Sequence, residues 1–306
     1  MALSFFRKDT KDAAPGAQAA EMEAFLKGYS IEVMPRTAEK VEDFRAILPK
    51  GTRVYIAHIE TPIEEMVATA ARLRREGFDP MPHFPARIIK DKAQLQDWVA
   101  RYQGEAGVTQ GLILAGNPAE QLGSFDSSMQ LLETGCFDGF ERLHVAGHPE
   151  GNKDIDPDGS DRMVMEAARW KSAFAERTDA KMAMATQFCF EAQPVIDWVN
   201  RLKAEGINLP VHIGIAGPAK LQTLIKFAIA CGVGPSLRVL QKRAMDVTKL
   251  LLPYEPTEVV AELAAYKAAN PGFGIEQVHF FPLGGIKTNA QWVTDNGGAS
   301  GVPANA

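Results

Sequence analysis

From Tyr29 onward, short β-branched and aliphatic runs alternate with longer stretches whose apolar residues recur every three or four positions. The first pattern suits buried strands, and the second suits helices with one apolar stripe. The strand-like runs are YSIEV (29–33), RVYIAH (53–58), DPMPHF (79–84), GLILAG (111–116), RLHVAG (142–147), KMAMATQF (181–188), PVHIGI (210–215) and QVHFFPLG (277–284). Between them lie IEEMVATAARLRREG, KAQLQDWVARYQG, DRMVMEAARWKSAFAER, QPVIDWVNRLKAEG and AKLQTLIKFAIACG, several closed by a glycine that suits a helix C-terminus. Repeated βα units predict a parallel sheet, and eight of them over about 250 residues predict a (β/α)8 TIM barrel. A doubly wound open sheet is the alternative.

The segment between Pro218 and Pro271 holds two further helical patterns, PSLRVLQKRAMDVTKLLL and PTEVVAELAAYKAAN, so an extra helix is expected before the last strand. No linker interrupts residues 25–290, which read as one barrel catalytic domain. Residues 1–24 read as a flexible N-terminal arm and 291–306 as a flexible, Gly/Ala-rich C-terminal tail. The opening stretch lacks the apolar core of a secretory signal, and no apolar run approaches the roughly 20 residues that span a bilayer.

A chain of 306 residues with a formal charge of −5 has no basic stripe for phosphate neutralisation, which argues against general nucleic-acid binding and favours small-molecule partners. The oligomeric state is left open. Cys136, Cys189 and Cys231 are odd in number and follow no ligand spacing, so the expected compartment is a reducing cytoplasm.

A barrel carries its chemistry at the C-terminal ends of its strands. There the chain offers Glu32, His58, His83, Asn117, His148 with Glu150, Gln187 with Phe190, Gly214, and the run Phe280 to Gly285. Each of these alone is equally well a hydrogen-bonded loop residue or a helix cap. Glu32 is the sharpest case, because it interrupts the apolar run Ile31-Glu32-Val33-Met34-Pro35. Partial desolvation there would raise its pKa and make it an acid near neutral pH, unless it serves a structural ion pair.

Taken in order, Ile31-Glu32-Val33-Met34-Pro35, Pro82-His83-Phe84, Leu114-Ala115-Gly116-Asn117, His148-Pro149-Glu150-Gly151, Thr186-Gln187-Phe188-Cys189-Phe190 and Pro210-Val211-His212-Ile213-Gly214-Ile215 resemble methylenetetrahydrofolate reductase. The similarity runs from about Tyr29 to about Leu283. It implies a hydride passed from NAD(P)H through FAD to 5,10-methylenetetrahydrofolate, giving 5-methyltetrahydrofolate in one-carbon metabolism and methionine biosynthesis. It also implies Glu32 as the acid that helps open the folate ring, with Gln187, Phe190 and Asn117 on the substrate side. The cofactor side would comprise His58, His83, Ala115, Gly116 and His148, with Lys171 either meeting a cofactor phosphate or lying solvated on the surface.

The chain departs from that family on the cofactor side. Ala115-Gly116-Asn117 stands where the family has Arg-Gly-Asp, and His58-Ile59 replaces an expected threonine and tyrosine. Weak or absent FAD binding, or direct hydride transfer from nicotinamide to folate, is therefore expected. Gly214-Ile215-Ala216-Gly217-Pro218 is too short for a dinucleotide fingerprint, while Gly284-Gly285 can cradle a phosphate, hold the folate tail or form a tight turn. Two other readings compete. One is a folate-binding or methyl-carrier protein without reductase activity, and the other is a metal-dependent hydrolase using some of His58, His83, His144, His148, His212 and His279.

Overall fold

The computed structural model describes residues 15–116, 118, 120–230, 240–241 and 253–298. Eight parallel strands close into a barrel in sequence order. They are β1 (Ser30–Val33), β2 (Arg53–Ile56), β3 (Asp79–Pro85), β4 (Gln110–Leu114), β5 (Arg142–Gly147), β6 (Lys181–Cys189), β7 (Val211–Ala216) and β8 (Ile275–Phe281). Closure is made by β1, which pairs with β2 on one side and with β8 on the other through Ser30 to His279 and Ile31 to Phe280. The (β/α)8 architecture expected from the pattern is therefore the observed one.

Among the described residues the helices of six residues or more are α1 (Pro15–Leu26), α2 (Ile63–Arg75), α3 (Lys92–Ala106), α4 (Ser128–Glu133), α5 (Arg162–Ala175), α6 (Ala192–Ala204), α7 (Leu221–Ala230), α8 (Thr257–Ala269) and α9 (Ile286–Asp295). Their stripes press on the outer face of the sheet, where Ile31, Val33, Val54, Ile56, Phe84 and Ile113 belong to the main core. Asp91 caps α3 by accepting a bond from the Gln94 amide, and Gly107 ends it in the left-handed conformation at φ 58°. Alternate strand residues point the other way, so Tyr55, Met81, Leu112 and Ala185 form a separate core inside the barrel. At its base Arg53 donates to Gln110 Oε1 and to Gln277 Oε1, both at 2.8 Å, tying β2 to β4 and β8.

Two boundaries differ from expectation. The stretch read as a flexible arm is helical from Pro15, and α1 packs on α8 and β8 by burying Met22, Phe25 and Leu26. Residues 1–14 lie outside the described residues. The last helix likewise runs to Asp295 and buries Trp292 and Val293, so an ordered helix enters the stretch read as a tail; residues 299–306 lie outside the described residues. Most of the extra helix expected over 235–252 also falls outside them. Leu240 and Gln241 are helical, and Leu240 is buried beside Leu221 and Leu224 of α7. Among the described residues no helix is long and apolar enough to cross a membrane.

Candidate functional site

Strand alternation sends Ile31 and Val33 outward into the main core, so Glu32 between them faces the barrel interior. Its Oε2 lies 3.3 Å from His83 Nε2 and 3.7 Å from His279 Nε2, and 18% of its side chain is accessible. The contact with His83 is at ion-pair distance but out of hydrogen-bond alignment, since His83 Nε2 has no hydrogen-bond partner. Behind His279, the Ser30 hydroxyl lies 3.0 Å from Nδ1. The carboxylate selects the tautomer of His279 that turns Nε2–H toward it, leaving Nδ1 to accept from Ser30.

These neighbours overturn the expected ionisation of Glu32. Burial raises its pKa, yet the imidazoles of His279 and His83 beside it outweigh that and hold the carboxyl down at about 2. Ile31, Val33 and Met34 flank it in sequence, but imidazoles flank it in space. Glu32 is thereby held as a carboxylate. Burial pushes His279 below its ordinary range, with Glu32 partly opposing the shift.

Below this group sits a second polar column. Tyr55 OH and His144 Nδ1 are 2.5 Å apart, the His144 and His212 rings meet edge to face at 4.4 Å, and His212 Nε2 contacts Glu276 Oε2 at 2.8 Å. The Tyr55 ring also covers His279 at 4.2 Å between centroids. Burial pushes His212 down to about 4 despite Glu276, and His144 well below its usual value. Ser30, Tyr55 and Glu276 were not among the residues the sequence singled out, and His144, His212 and His279 entered there only as candidate metal ligands. The available signal was the two-residue strand period, which puts Ser30 with Glu32 and His279 with Phe281 on the inner face.

Gln187 is exposed at the end of β6, where the register with β7 shifts between Ala185 and Phe188. Thr186 stabilises that irregularity by donating to the Gln187 carbonyl and accepting from the Gly214 amide, both at 2.8 Å. Phe190 is 8% exposed, and its ring packs edge to face on Phe188 and Tyr254. It therefore backs the rim of the mouth and offers no open face for a flat ring.

The residues assigned to the cofactor side do not converge as expected. Lys171 is buried, donates from Nζ to the Ala146 carbonyl at 2.8 Å, and is lowered to about 8 by burial. It is neither a phosphate contact nor a solvated surface lysine, because its helix turns it beneath β5. His148 is pushed down to about 3 by burial and by the charge of Lys171. His58 is buried, pairs through Nε2 with the Thr61 carbonyl at 2.8 Å, and lies against Trp98. The Ala115 carbonyl accepts from the Arg87 amide, and Gly116 takes a φ of 94° where a Cβ would stand 2.9 Å from Pro85. Asn117 lies outside the described residues. Among the described residues no group of three His, Cys, Asp or Glu side chains converges to hold a metal ion.

The barrel is similar to a solved structure described as an uncharacterized protein from Clostridium thermocellum that binds two copies of 5-methyl-5,6,7,8-tetrahydrofolic acid. The alignment has a TM-score of 0.56 and 11% identity, covering 90% of this chain and 98% of that one. At that identity the likeness concerns the fold. An enoyl-[acyl-carrier-protein] reductase (NADH) from Aquifex aeolicus VF5 aligns at a TM-score of 0.30, with 14% identity over 76% of this chain and 95% of that one. No family model matches the chain.

Proposed function

We propose that the mouth of this barrel binds a reduced folate and that the chain reduces 5,10-methylenetetrahydrofolate to 5-methyltetrahydrofolate with NAD(P)H. The observation that carries the reading is Glu32, a carboxylate at the barrel mouth set between His83 and His279. The exposed Gln187 amide on the rim and the similarity in fold to a 5-methyltetrahydrofolate-binding protein support the folate part.

The reaction moves a hydride from the dihydronicotinamide to the methylene carbon that bridges N5 and N10, while the ring bond from that carbon to N10 breaks and N10 gains a proton. A carboxylate beside the carbon stabilises the iminium cation formed as the ring opens. Glu32 supplies that negative charge. When a pterin covers its remaining 18% of accessible surface, water is removed and the pKa rises, so Oε2 can take up a proton from solvent as the substrate binds and pass it to N10. Gln187 donates and accepts toward the pterin edge.

The resemblance also implies FAD, and the described residues do not fit it. Lys171 donates to the Ala146 carbonyl, His58 pairs with the Thr61 carbonyl, and the backbone carbonyl of Ala115 is taken by Arg87. The hydride therefore passes directly from nicotinamide to folate.

The test is NADH and NADPH consumption with methylenetetrahydrofolate, beside direct binding of 5-methyltetrahydrofolate. Glu32→Gln should keep folate binding and cut turnover by about 10²–10⁴-fold, the range for a lost acid. A parent protein that binds 5-methyltetrahydrofolate but consumes no nicotinamide is a folate carrier, and the reductase reading fails.

A further inference from the structure

We propose that the turn between β8 and α9 is an oxyanion site that holds a phosphate of a nicotinamide dinucleotide. The dinucleotide rests on the reductase reading above, whereas the anion site does not.

The first observation is an uncapped, cationic helix start. Gly285 precedes α9 at φ 118° and has no side chain to cap it, so the amides of Ile286, Lys287 and Thr288 point out of the first turn without intrahelical acceptors. The first turn contains no acidic residue, and it carries Lys287. A cation at the positive end of a helix dipole is unfavourable until an anion joins it. Gly284, Gly285, Lys287 and Thr288 are all exposed, so such an anion has access from solvent.

The second observation is independent. Asn289 is 1% exposed, and neither its Oδ1 nor its Nδ2 has a hydrogen-bond partner. Helical side chains lean toward the helix N-terminus, and this amide lies in the first turns of α9. It abuts the turn after β7, where a Cβ on Gly217 would fall 1.9 Å from Oδ1. The two turns touch, since a Cβ on Gly284 would fall 2.0 Å from the Pro218 carbonyl. A buried amide with both groups unpaired is costly, and an oxyanion at the helix opening, directly or through its bound water, gives Nδ2 the acceptor it lacks.

Place and chemistry agree. β8 is hydrogen-bonded to β1, so the turn opens at the same end of the barrel as Glu32. A phosphate there joins three amides, the Thr288 hydroxyl and the Lys287 ammonium, a donor set matched to a tetrahedral anion. Lys171, the cation first assigned to a phosphate, is held inside beneath β5.

The probe is inorganic pyrophosphate, titrated calorimetrically into the full chain and followed by the side-chain amide resonances of Asn289. Binding that weakens with salt and shifts those resonances is expected. Lys287→Glu, an exposed change whose fold is checked by its melting curve, should weaken pyrophosphate and NADH about ten- to a hundredfold and leave monoglutamyl 5-methyltetrahydrofolate unaffected. Absence of pyrophosphate binding, or binding indifferent to Lys287→Glu, overturns the site. Unchanged NADH affinity with weakened triglutamyl folate overturns the phosphate assignment in favour of the carboxylates of a folate tail. Because pyrophosphate binding needs neither folate nor turnover, failure of the reductase reading leaves this result standing.

Discussion

At the residue scale, the neighbours in space decide the charge of a group, and Lys171 illustrates this in a different way from Glu32. Its ammonium has one acceptor, the Ala146 carbonyl, and burial lowers it from its ordinary value to about 8. A base with a depressed folded pKa contributes stability above its unfolded value, near 10.5, and loses it as the pH falls through about 8. At neutral pH the buried charge is therefore a net cost. Lys171→Met fills the same space without the charge and should raise unfolding stability at pH 7 by about 1–3 kcal/mol, with the gain shrinking toward pH 10. Urea denaturation at the two pH values checks it, and a destabilised variant at pH 7 would show that the bond to Ala146 outweighs the desolvation. If Lys171 held a cofactor phosphate, the same variant would lose NADH affinity; the structure leads us to expect none.

At the element scale, the irregularity in β6 positions the rim of the site, and Gly214 permits it. A Cβ at 214 would stand 2.5 Å from both the Thr186 and Gln187 carbonyls, which are backbone atoms that cannot swing aside. Gly214→Ala should push β6 off β7, break the bond from its amide to Thr186 Oγ1, cost about 1–3 kcal/mol, and weaken folate binding through displaced Gln187. A variant with parental stability and parental affinity for 5-methyltetrahydrofolate would contradict that coupling. The strands themselves were legible because aliphatic and β-branched runs of the right length recur between amphipathic stretches. Helix α1 was not, because PGAQAAEMEAFL has no repeated apolar stripe and places its buried residues, Met22, Phe25 and Leu26, in its second half. Glu32 and His83 were legible as strand-end polar residues. His279 entered only as a candidate metal ligand because it lies before its strand end, although the inner-face period pairs it with Phe281; Ser30 escaped because a serine in an apolar run signals nothing by itself.

At the scale of the whole molecule, the barrel keeps a column of imidazoles neutral in its interior, and this sets how the protein meets acid. His144 and His279 are held below their ordinary range and His212 near 4, each first by burial, while His148 at the mouth is held near 3 by burial and then by Lys171. A histidine with a depressed folded pKa stabilises the fold above its unfolded value near 6.5 and loses that contribution as the pH falls toward the folded value. The unfolded chain binds these protons first, so acid pulls the equilibrium toward it. At pH 5 each histidine still neutral in the fold costs about 2 kcal/mol relative to pH 7, and His144, His148 and His212 together reach the low end of the whole stability of a typical domain. Glu32 adds its loss later, between its ordinary carboxylate range and about 2. The expected outcome is a steep fall in the urea midpoint between pH 6.5 and 5, well before carboxylates titrate, with near-constant stability from pH 7 to 8. His212→Gln removes one of the titrating groups while offering an amide to Glu276, so it should flatten the fall by about one proton's worth of slope. A parent protein whose stability holds level to pH 5 and drops only below it would mean that the interior histidines take up protons within the fold, and the neutral column would be wrong.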